Sequence, residues 1–457
     1  MQLSHAVLLA GGVSKQLHPL TSVGTPKALV PVGNQALISF PLKTLEQAGV
    51  THTIVVVEGE AATSKVSHWV SKNYGGKMHV EVKSVTEDSG SAAAVAQLKD
   101  DLKADSFIVL SGDLVSDVPL KALAASHYVT EATVTVLLKE KRISPASETK
   151  PGKAPKNVDY IGLDTQQKQL TFIAGSTPEA RRQVRVPLAA LQDGRLSLRT
   201  DLMDAHLYIF HKRTFFKALE ARPAYESIRK DLLPYMVRQQ HSRHPFSSKQ
   251  DSNHQIPSPS SSQKLQQSDS LTPGSQVVDV ISSASRGTGV SGHRDMWCNA
   301  YVASKEGYCG RANTLQAYSE VNRDLTSFDL ASRLLTEKPN SRFENFVHES
   351  VQLGSKATVS AGCIVAKGTI LGDRCSVKRS IIGTTCKLGN SVKIVSSIVM
   401  DDVIVEEGSH IQNSIICSGS HVQAQCSVRD CKVGPGFKLS EGSEYRDEVL
   451  SKAKVPQ

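Results

Sequence analysis

The stretch "RSIIGTTCKLGNSVKIVSSIVMDDVIVEEGSHIQNSIIC", residues 379–417, returns on itself every 17 residues. "RSIIG" at 379–383 comes back as "SSIVM" at 396–400, "NSIIC" at 413–417 and "DCKVG" at 430–434. Branched apolar residues mark a finer step. Leu353, Val359, Val365, Leu371 and Val377 stand six apart, and from there Ile382, Leu388, Ile394, Val399, Val405, Ile411, Ile416, Val422, Val428, Val433 and Leu439 follow in steps of five, six and six. Three short flat strands per coil, each turning one branched side chain inward, predict a left-handed parallel β-helix of hexapeptide repeats over 341–442. Stacking buries a column that no single coil could bury. Cys363, Cys375, Cys386, Cys417, Cys426 and Cys431 fall within these rungs and read as small packing residues rather than metal ligands. His410 and His421 also sit in regular rungs. A hexapeptide acyltransferase needs a catalytic histidine in a loop protruding between coils, and neither residue meets that need.

The chain upstream has a different grammar. "HAVLLA" (5–10), "HTIVVVEG" (52–59), "KMHVEVK" (77–83) and "SFIVLSGD" (106–113) are apolar runs bounded by turns, while 34–48 and 89–104 suit helices. Continuous apolarity fits strands buried on both faces, hence an open, Rossmann-like α/β domain over 1–239 with ligands beyond the carboxyl ends of its strands. "TVTVLLKEK", "YIGLDTQQKQLTFIAG" and "LMDAHLYIF" read as later strands, followed by helices from Lys212 and through "SIRKDLLPYMVRQQ". Residues 240–294 are rich in Ser, Gln, His and Pro and predict a disordered loop, because such a composition cannot bury enough surface to offset its ordering entropy. A connecting strand and helix are expected at 295–340, and a tail at 443–457.

Composition bounds the function. The chain has 457 residues, 39% hydrophobic and 21% charged, which fits two to three globular domains. No apolar run approaches the ~18 residues that span a bilayer, so no membrane association is expected. The net charge of +9 is spread without a polybasic block, and direct nucleic-acid binding is not expected. The eight cysteines contain no CxxC pair, so neither a disulfide framework nor a zinc site is indicated, and reduced cytosolic thiols are the simpler reading.

Residues Leu9, Ala10, Gly11, Gly12, Leu17, Pro19, Leu20 and Thr21, then Pro26, Lys27, Leu29, Pro31, Val32 and Asn34, form two linked motifs. They resemble the sugar-phosphate nucleotidyltransferase family, whose pattern runs L-A-G-G-x-G-T-R-L-x-P-L-T and then P-K-x-L-x-P-V-x-N. The resemblance implies a glycine loop that approaches phosphates and cations that stabilise the leaving pyrophosphate. It also implies a magnesium carboxylate in the Gly-Asp after a buried strand, here Asp113. Lys27, Asp113 and the Gly90–Ser91–Ala92 turn, similar to the nucleotide-side Gly-Thr-Ala, complete the residual pocket. Each has a plain alternative: an exposed turn lysine, a turn-capping Asp and a helix start.

Departures fall where chemistry is done. Ser14 replaces the third glycine and Gln16 replaces the arginine aimed at the triphosphate; Lys15 in the wrong register does not supply its bidentate fork. The sugar-contacting Asn-Ala-Gly stands here as Asp204, Ala205 and His206. The later acidic residue of a Trp-x-Asp-x-Gly segment has no visible counterpart, as if that part of the chain had become the Ser/Gln-rich loop. These departures predict crippled or absent catalysis and no bound metal or cofactor. A working GDP-mannose pyrophosphorylase remains the alternative.

Trp297, Tyr301, Val302, Arg311, Ala312, Asn313, Thr314, Leu315, Tyr318, Glu320 and Asn322, placed between the two domain types, resemble a narrower family, the gamma subunits of eukaryotic translation initiation factor two-B. That resemblance implies a noncatalytic subunit of a cytosolic guanine-nucleotide exchange factor. It would pair with the catalytic epsilon subunit, dock with alpha, beta and delta subunits, and help grip initiation factor two. Exchange in that family belongs to a helical domain at the end of epsilon, for which this chain leaves no room after its last expected rung at Leu439.

Overall fold

The computed structural model describes residues 3–12, 15–22, 24–86, 89–141, 158–164, 168–175, 184–191, 196–242, 246, 296–336 and 342–451. Ser14 and nearly all of the Ser/Gln-rich segment lie outside the described residues.

The apolar runs of the first half become β1 (His5–Leu9), β2 (His52–Glu58), β3 (His79–Val85), β4 (Ser106–Ser111), β5 (Leu114–Ser116) and β6 (Val134–Glu140). Between them lie α1 (Ser39–Ala48), α2 (Glu60–Asn73), α3 (Ser91–Ala96) and α4 (Leu120–Val129). Two elements are shorter than the sequence suggests. Residues 34–38 are not helical, because Gln35–Ala36 pairs back on Pro31–Val32 as a hairpin before α1 begins. The helix expected over 89–104 stops at Ala96, although Leu98 and Leu102 beyond it stay buried.

Downstream come β7 (Tyr160–Asp164), β8 (Leu170–Ala174), β9 (Leu196–Arg199) and β10 (Leu202–His211), then α5 (Lys212–Ala221) and α6 (Leu233–Gln239). They are followed by β11 (Cys298–Val302), β12 (Cys309–Arg311), α7 (Leu315–Asp324) and α8 (Phe328–Leu334). The main sheet has seven strands in the order β11-β6-β10-β4-β1-β2-β3. It is not wholly parallel: β10 runs antiparallel to both β4 and β6. Strands β8, β7 and β9 form a separate antiparallel sheet. The strand expected as a connector, β11, pairs in parallel with β6 and completes the sheet of the first domain. Apolar runs bury both faces of this sheet, one against α3 and α5, the other against α1, α2 and α4.

From Phe346 the chain enters three stacked parallel sheets of seven, six and six short strands. Val365, Leu371, Val377, Ile382, Leu388, Ile394 and their successors to Leu439 point into one buried column. Leu353 does not; it is 54% exposed, because its strand is the first of its ladder and has a neighbour on one side only. The stack also runs further than the expected end. Glu444–Arg446 and Val449–Leu450 pair on 427–429 and 432–433, with Tyr445 and Leu450 continuing the 17-residue step inward. An aromatic in a column of branched aliphatics hid that last coil. The corners turn at left-handed residues, one column being Gly362, Arg379, Ser396, Asn413, Asp430 and Asp447 with φ between 45° and 68°.

Beside that corner runs a buried ladder of hydroxyls. The amides of Ser397, Ser414 and Cys431 donate to Oγ of Ser380, Ser397 and Ser414 at 3.1, 3.1 and 3.0 Å. Each serine donates in turn to the carbonyl two residues before it, at 2.7–2.8 Å. All eight cysteines are free and buried, and burial pushes the thiols of Cys386 and Cys417 up to about 12. The six of the β-helix are packing groups, as their rung positions suggest.

Helices α7 and α8 fill the angle between the two domains. Tyr318, Val321, Leu325, Leu330 and Leu334 share one apolar cluster with Leu17, Val32, Leu37 and Phe40 of the first domain and Phe346, Ile364, Ile381 and Ile415 of the second. Polar contacts fix the register. Tyr318 Oη donates to the Pro31 carbonyl at 2.7 Å, the Gly33 amide donates to Asn322 Oδ1 at 2.9 Å, and Asn34 Nδ2 reaches the Ile382 carbonyl at 2.8 Å.

Ser397→Ala removes both bonds of one ladder step and leaves the buried Ser414 amide unanswered, at a cost of about 1–3 kcal/mol. Ser397→Cys costs less, since a thiol already occupies the equivalent position of the column at Cys431. Urea midpoints of the two variants against the parent check the order.

Candidate functional site

Strands β1 and β4 are parallel neighbours, so their carboxyl ends bring two loops together, Ala10–Gly12 and Gly112–Asp113. The Gly112 amide donates to the Leu9 carbonyl at 2.8 Å, and the Ala10 amide to that of Val56 at 2.8 Å. Side chains are excluded at two points here. A Cβ on Gly11 would stand 3.0 Å from the Glu58 amide nitrogen, and Gly12 turns at φ +106°. The glycines are explained by this close approach of backbone before any ligand is considered.

Asp113, 1% exposed, is the centre of the site. Arg311 grips it with a two-pronged bond, Nε to Oδ1 at 2.8 Å and Nη2 to Oδ2 at 2.9 Å. Lys27 Nζ meets Oδ2 as well, and Ser111 Oγ donates to Oδ1 at 2.8 Å. Burial by itself would raise the carboxyl, but the Arg311 and Lys27 charges hold it well below the ordinary carboxylate range. The backbone repeats the grip: β12 pairs with β5, and the Ala312 amide donates to the Asp113 carbonyl at 3.0 Å. The segment opposite the carboxylate is Cys309–Gly310–Arg311–Ala312–Asn313, and it presents a guanidinium rather than an acid to Asp113. Sequence reasoning placed Arg311 in a motif but not at the site, because its partner lies 198 residues away.

This donor set does not fit a divalent ion. Both Asp113 oxygens are engaged by cations, and a metal needs carboxylate oxygens that face it without competing positive charge. Among the described residues no group of three or more His, Cys, Asp or Glu could hold a metal ion.

At the Asp204–Ala205–His206 turn, β10 bulges against β6 between Asp204 and Tyr208. Asp204 is buried and accepts from the His206 amide at 2.7 Å and from Tyr208 Oη at 2.6 Å; burial raises its carboxyl, opposed by the Tyr208 bond and the Arg229 charge. His206 stands at φ +56°, a conformation that suits the glycine of an Asn-Ala-Gly turn and strains a histidine. Burial first, then the Arg311 and Arg229 charges, lowers its pKa well below the usual value, so the ring is neutral at pH 7. Its Nε2 is buried without a hydrogen-bond partner among the described residues.

The other expected positions lie apart. Gln16 is exposed on the short Lys15–Leu17 turn. Gly90 packs on the 226–228 segment: a Cβ there would come within 2.3 Å of the Glu226 carbonyl oxygen, which accepts from the Ala92 amide at 2.7 Å. Ser91 Oγ accepts from the Ile228 amide at 2.9 Å. The amino end of α3 is thus satisfied by the protein's own backbone.

Asp113→Asn leaves two cations with no buried countercharge and should destabilise the fold by about 3–5 kcal/mol. Because the folded carboxyl titrates below its unfolded value near 4, this contribution is fully present above that pH and is lost as pH falls below it. Denaturation midpoints of parent and variant should differ by a constant amount from pH 5 to 8 and converge in strong acid.

Residues 5–148 match the family model described as Nucleotidyl transferase, and residues 342–444 match that described as EIF2B subunit epsilon LbH domain. Longer similarity points to another subunit name. The chain is 29% identical over 384 residues, 81% of its length and 84% of the relative's, to "Translation initiation factor eIF2B subunit gamma" of Dictyostelium discoideum. It is 28% identical to the protein of the same name in Schizosaccharomyces pombe, over 81% of this chain and 73% of that one. A mannose-1-phosphate guanyltransferase of Saccharomyces cerevisiae reaches 34% identity, but over 125 residues, 26% of this chain and 34% of the enzyme.

Proposed function

From the premise that this chain is a homologue of eIF2B subunit gamma, with a nucleotidyltransferase domain followed by a hexapeptide β-helix, we propose that it is a noncatalytic subunit of a guanine-nucleotide exchange factor. In this reading it works in the cytosol, pairs with the epsilon subunit, docks with alpha, beta and delta subunits, and helps bind initiation factor two as that factor passes from its GDP to its GTP form.

The observation that carries the reading is the saturation of Asp113 by Arg311 and Lys27. Nucleotidyl transfer needs cations aimed at the phosphates, since its catalysis is chiefly positioning and charge stabilisation. Here one cation of the motif, Lys27, is held by an internal carboxylate, and the position of another is Gln16. Gly11, Gly12, Lys27, Gly90 and Asp113 persist as positions of a residual nucleotide pocket, while Ser14, Gln16, Asp204 and His206 are its degenerate positions. The fold then serves as a scaffold whose surfaces, rather than its cleft, do the work. The second reading, a GDP-mannose pyrophosphorylase, is favoured by a similarity that covers 26% of this chain and by the family match over residues 5–148.

Tagged in its own cells and purified at low salt, the protein should be weighed by native mass spectrometry in complexes with a longer related chain and the other exchange-factor subunits. A homo-oligomer free of translation factors overturns the assignment. In parallel, GTP with mannose 1-phosphate should give no pyrophosphate release above background; sugar-dependent turnover would favour the second reading.

A further inference from the structure

The carboxyl ends of β1 and β4 are where an open α/β sheet gathers charge, and in this chain that place is filled from within. We propose that Arg311 is a resident cation that takes the place of a divalent ion at Asp113 and fastens the α7–α8 wedge, making the fold metal-independent, so that replacing its guanidinium by a carboxylate opens a divalent-cation site. The inference stands apart from the translation assignment.

Three observations carry it. The first is position: Arg311 meets both oxygens of a fully buried carboxylate that ends a parallel strand beside a glycine loop, the kind of place where a metal carboxylate would stand. The second is charge. Lys27 and Arg311 together bring two positive charges to one carboxylate, as many as a divalent ion carries, so the carboxylate is answered without an ion. The third is connection. A bound ion can leave, whereas Arg311 is tied by backbone to Asp113 and leads within four residues into α7, whose Thr314 cap accepts from the Ala317 amide at 3.1 Å. From α7, Tyr318 and Asn322 reach Pro31 and Gly33, on the same loop that carries Lys27. The ion pair and these bonds pull the two ends of one loop, residues 27 and 33, onto one continuous segment, residues 311–322.

Arg311 is accordingly a positioning residue, and a lysine in its place would keep the charge but lose the fork. An aspartate there would face Asp113 across the space that the guanidinium spans. Two carboxylates so placed, with Ser111 Oγ alongside, offer the hard oxygen donors that Mg2+ and Mn2+ prefer.

The test compares the full-length protein and three variants by thermal melting and by electron paramagnetic resonance titration with Mn2+. The parent should melt at the same temperature in EDTA and in millimolar MgCl2, and should bind no stoichiometric Mn2+. Arg311→Asp should melt lower in EDTA, recover by about 3 °C or more in Mn2+, and bind one Mn2+ per chain. Arg311→Lys should melt between the two and ignore Mn2+. Arg311→Asp combined with Asp113→Asn should lose the Mn2+ response, which locates the ion. If Arg311→Asp does not accumulate as folded protein in EDTA, refolding it with and without Mn2+ reads the same property as yield. A parent that is destabilised by EDTA or that binds one Mn2+ overturns the proposal, as does a folded Arg311→Asp variant that binds none.

Discussion

A carboxylate sealed from water cannot remain charged by itself; either it takes a proton or the fold brings positive charge to it. Asp113 is answered twice, by Lys27 from a loop near the start of the chain and by Arg311 from a strand far downstream. Both answers are structural commitments. The loop that offers Lys27 goes on to form the hairpin at 31–36, and the strand that offers Arg311 goes on to form α7, so one buried charge sets where two segments meet. The apolar cluster between the domains is then filled by side chains on these same segments, Val32 and Leu37 from one and Tyr318 and Val321 from the other.

The twin motif at 9–34 divides along this line. Its glycines and Lys27 belong to the strand-end site. Leu17, Leu20, Val32 and Asn34 face elsewhere, into the interdomain cluster or onto the Ile382 carbonyl of the β-helix. A sequence can therefore match the pattern of a nucleotide-binding loop closely while several of the matching positions answer to packing between domains. That division explains how the pattern can persist around Gln16, which is exposed.

What could be read from the chain alone followed from periodicity. The 17-residue step is legible because every coil buries the same kind of side chain at the same place, and the strands of the first domain because they are buried on both faces. Three things were hidden by chemistry rather than by noise. The last coil places Tyr445 where its predecessors place Val or Ile. Strand β10 is apolar enough to look like its parallel neighbours although it runs against them. The Asp113–Arg311 pair joins residues so distant in sequence that no local pattern records it, and it is visible only once the strands at 309–311 and 114–116 lie side by side.

The β-helix is held unevenly along its axis. Phe346, Ile364, Ile381, Met400, Ile415 and Cys417 lean successively on the α7–α8 wedge and its neighbours, and Pro19 lies close beside Gly434. Among the described residues the strands at 444–446 and 449–450 pair only with the coil before them. In a stack whose stability is a sum over adjacent coils, such an arrangement gives wear a direction. Amide exchange and proteolytic nicking would begin at the far coil and travel inward, coil by coil, stopping where the wedge takes hold.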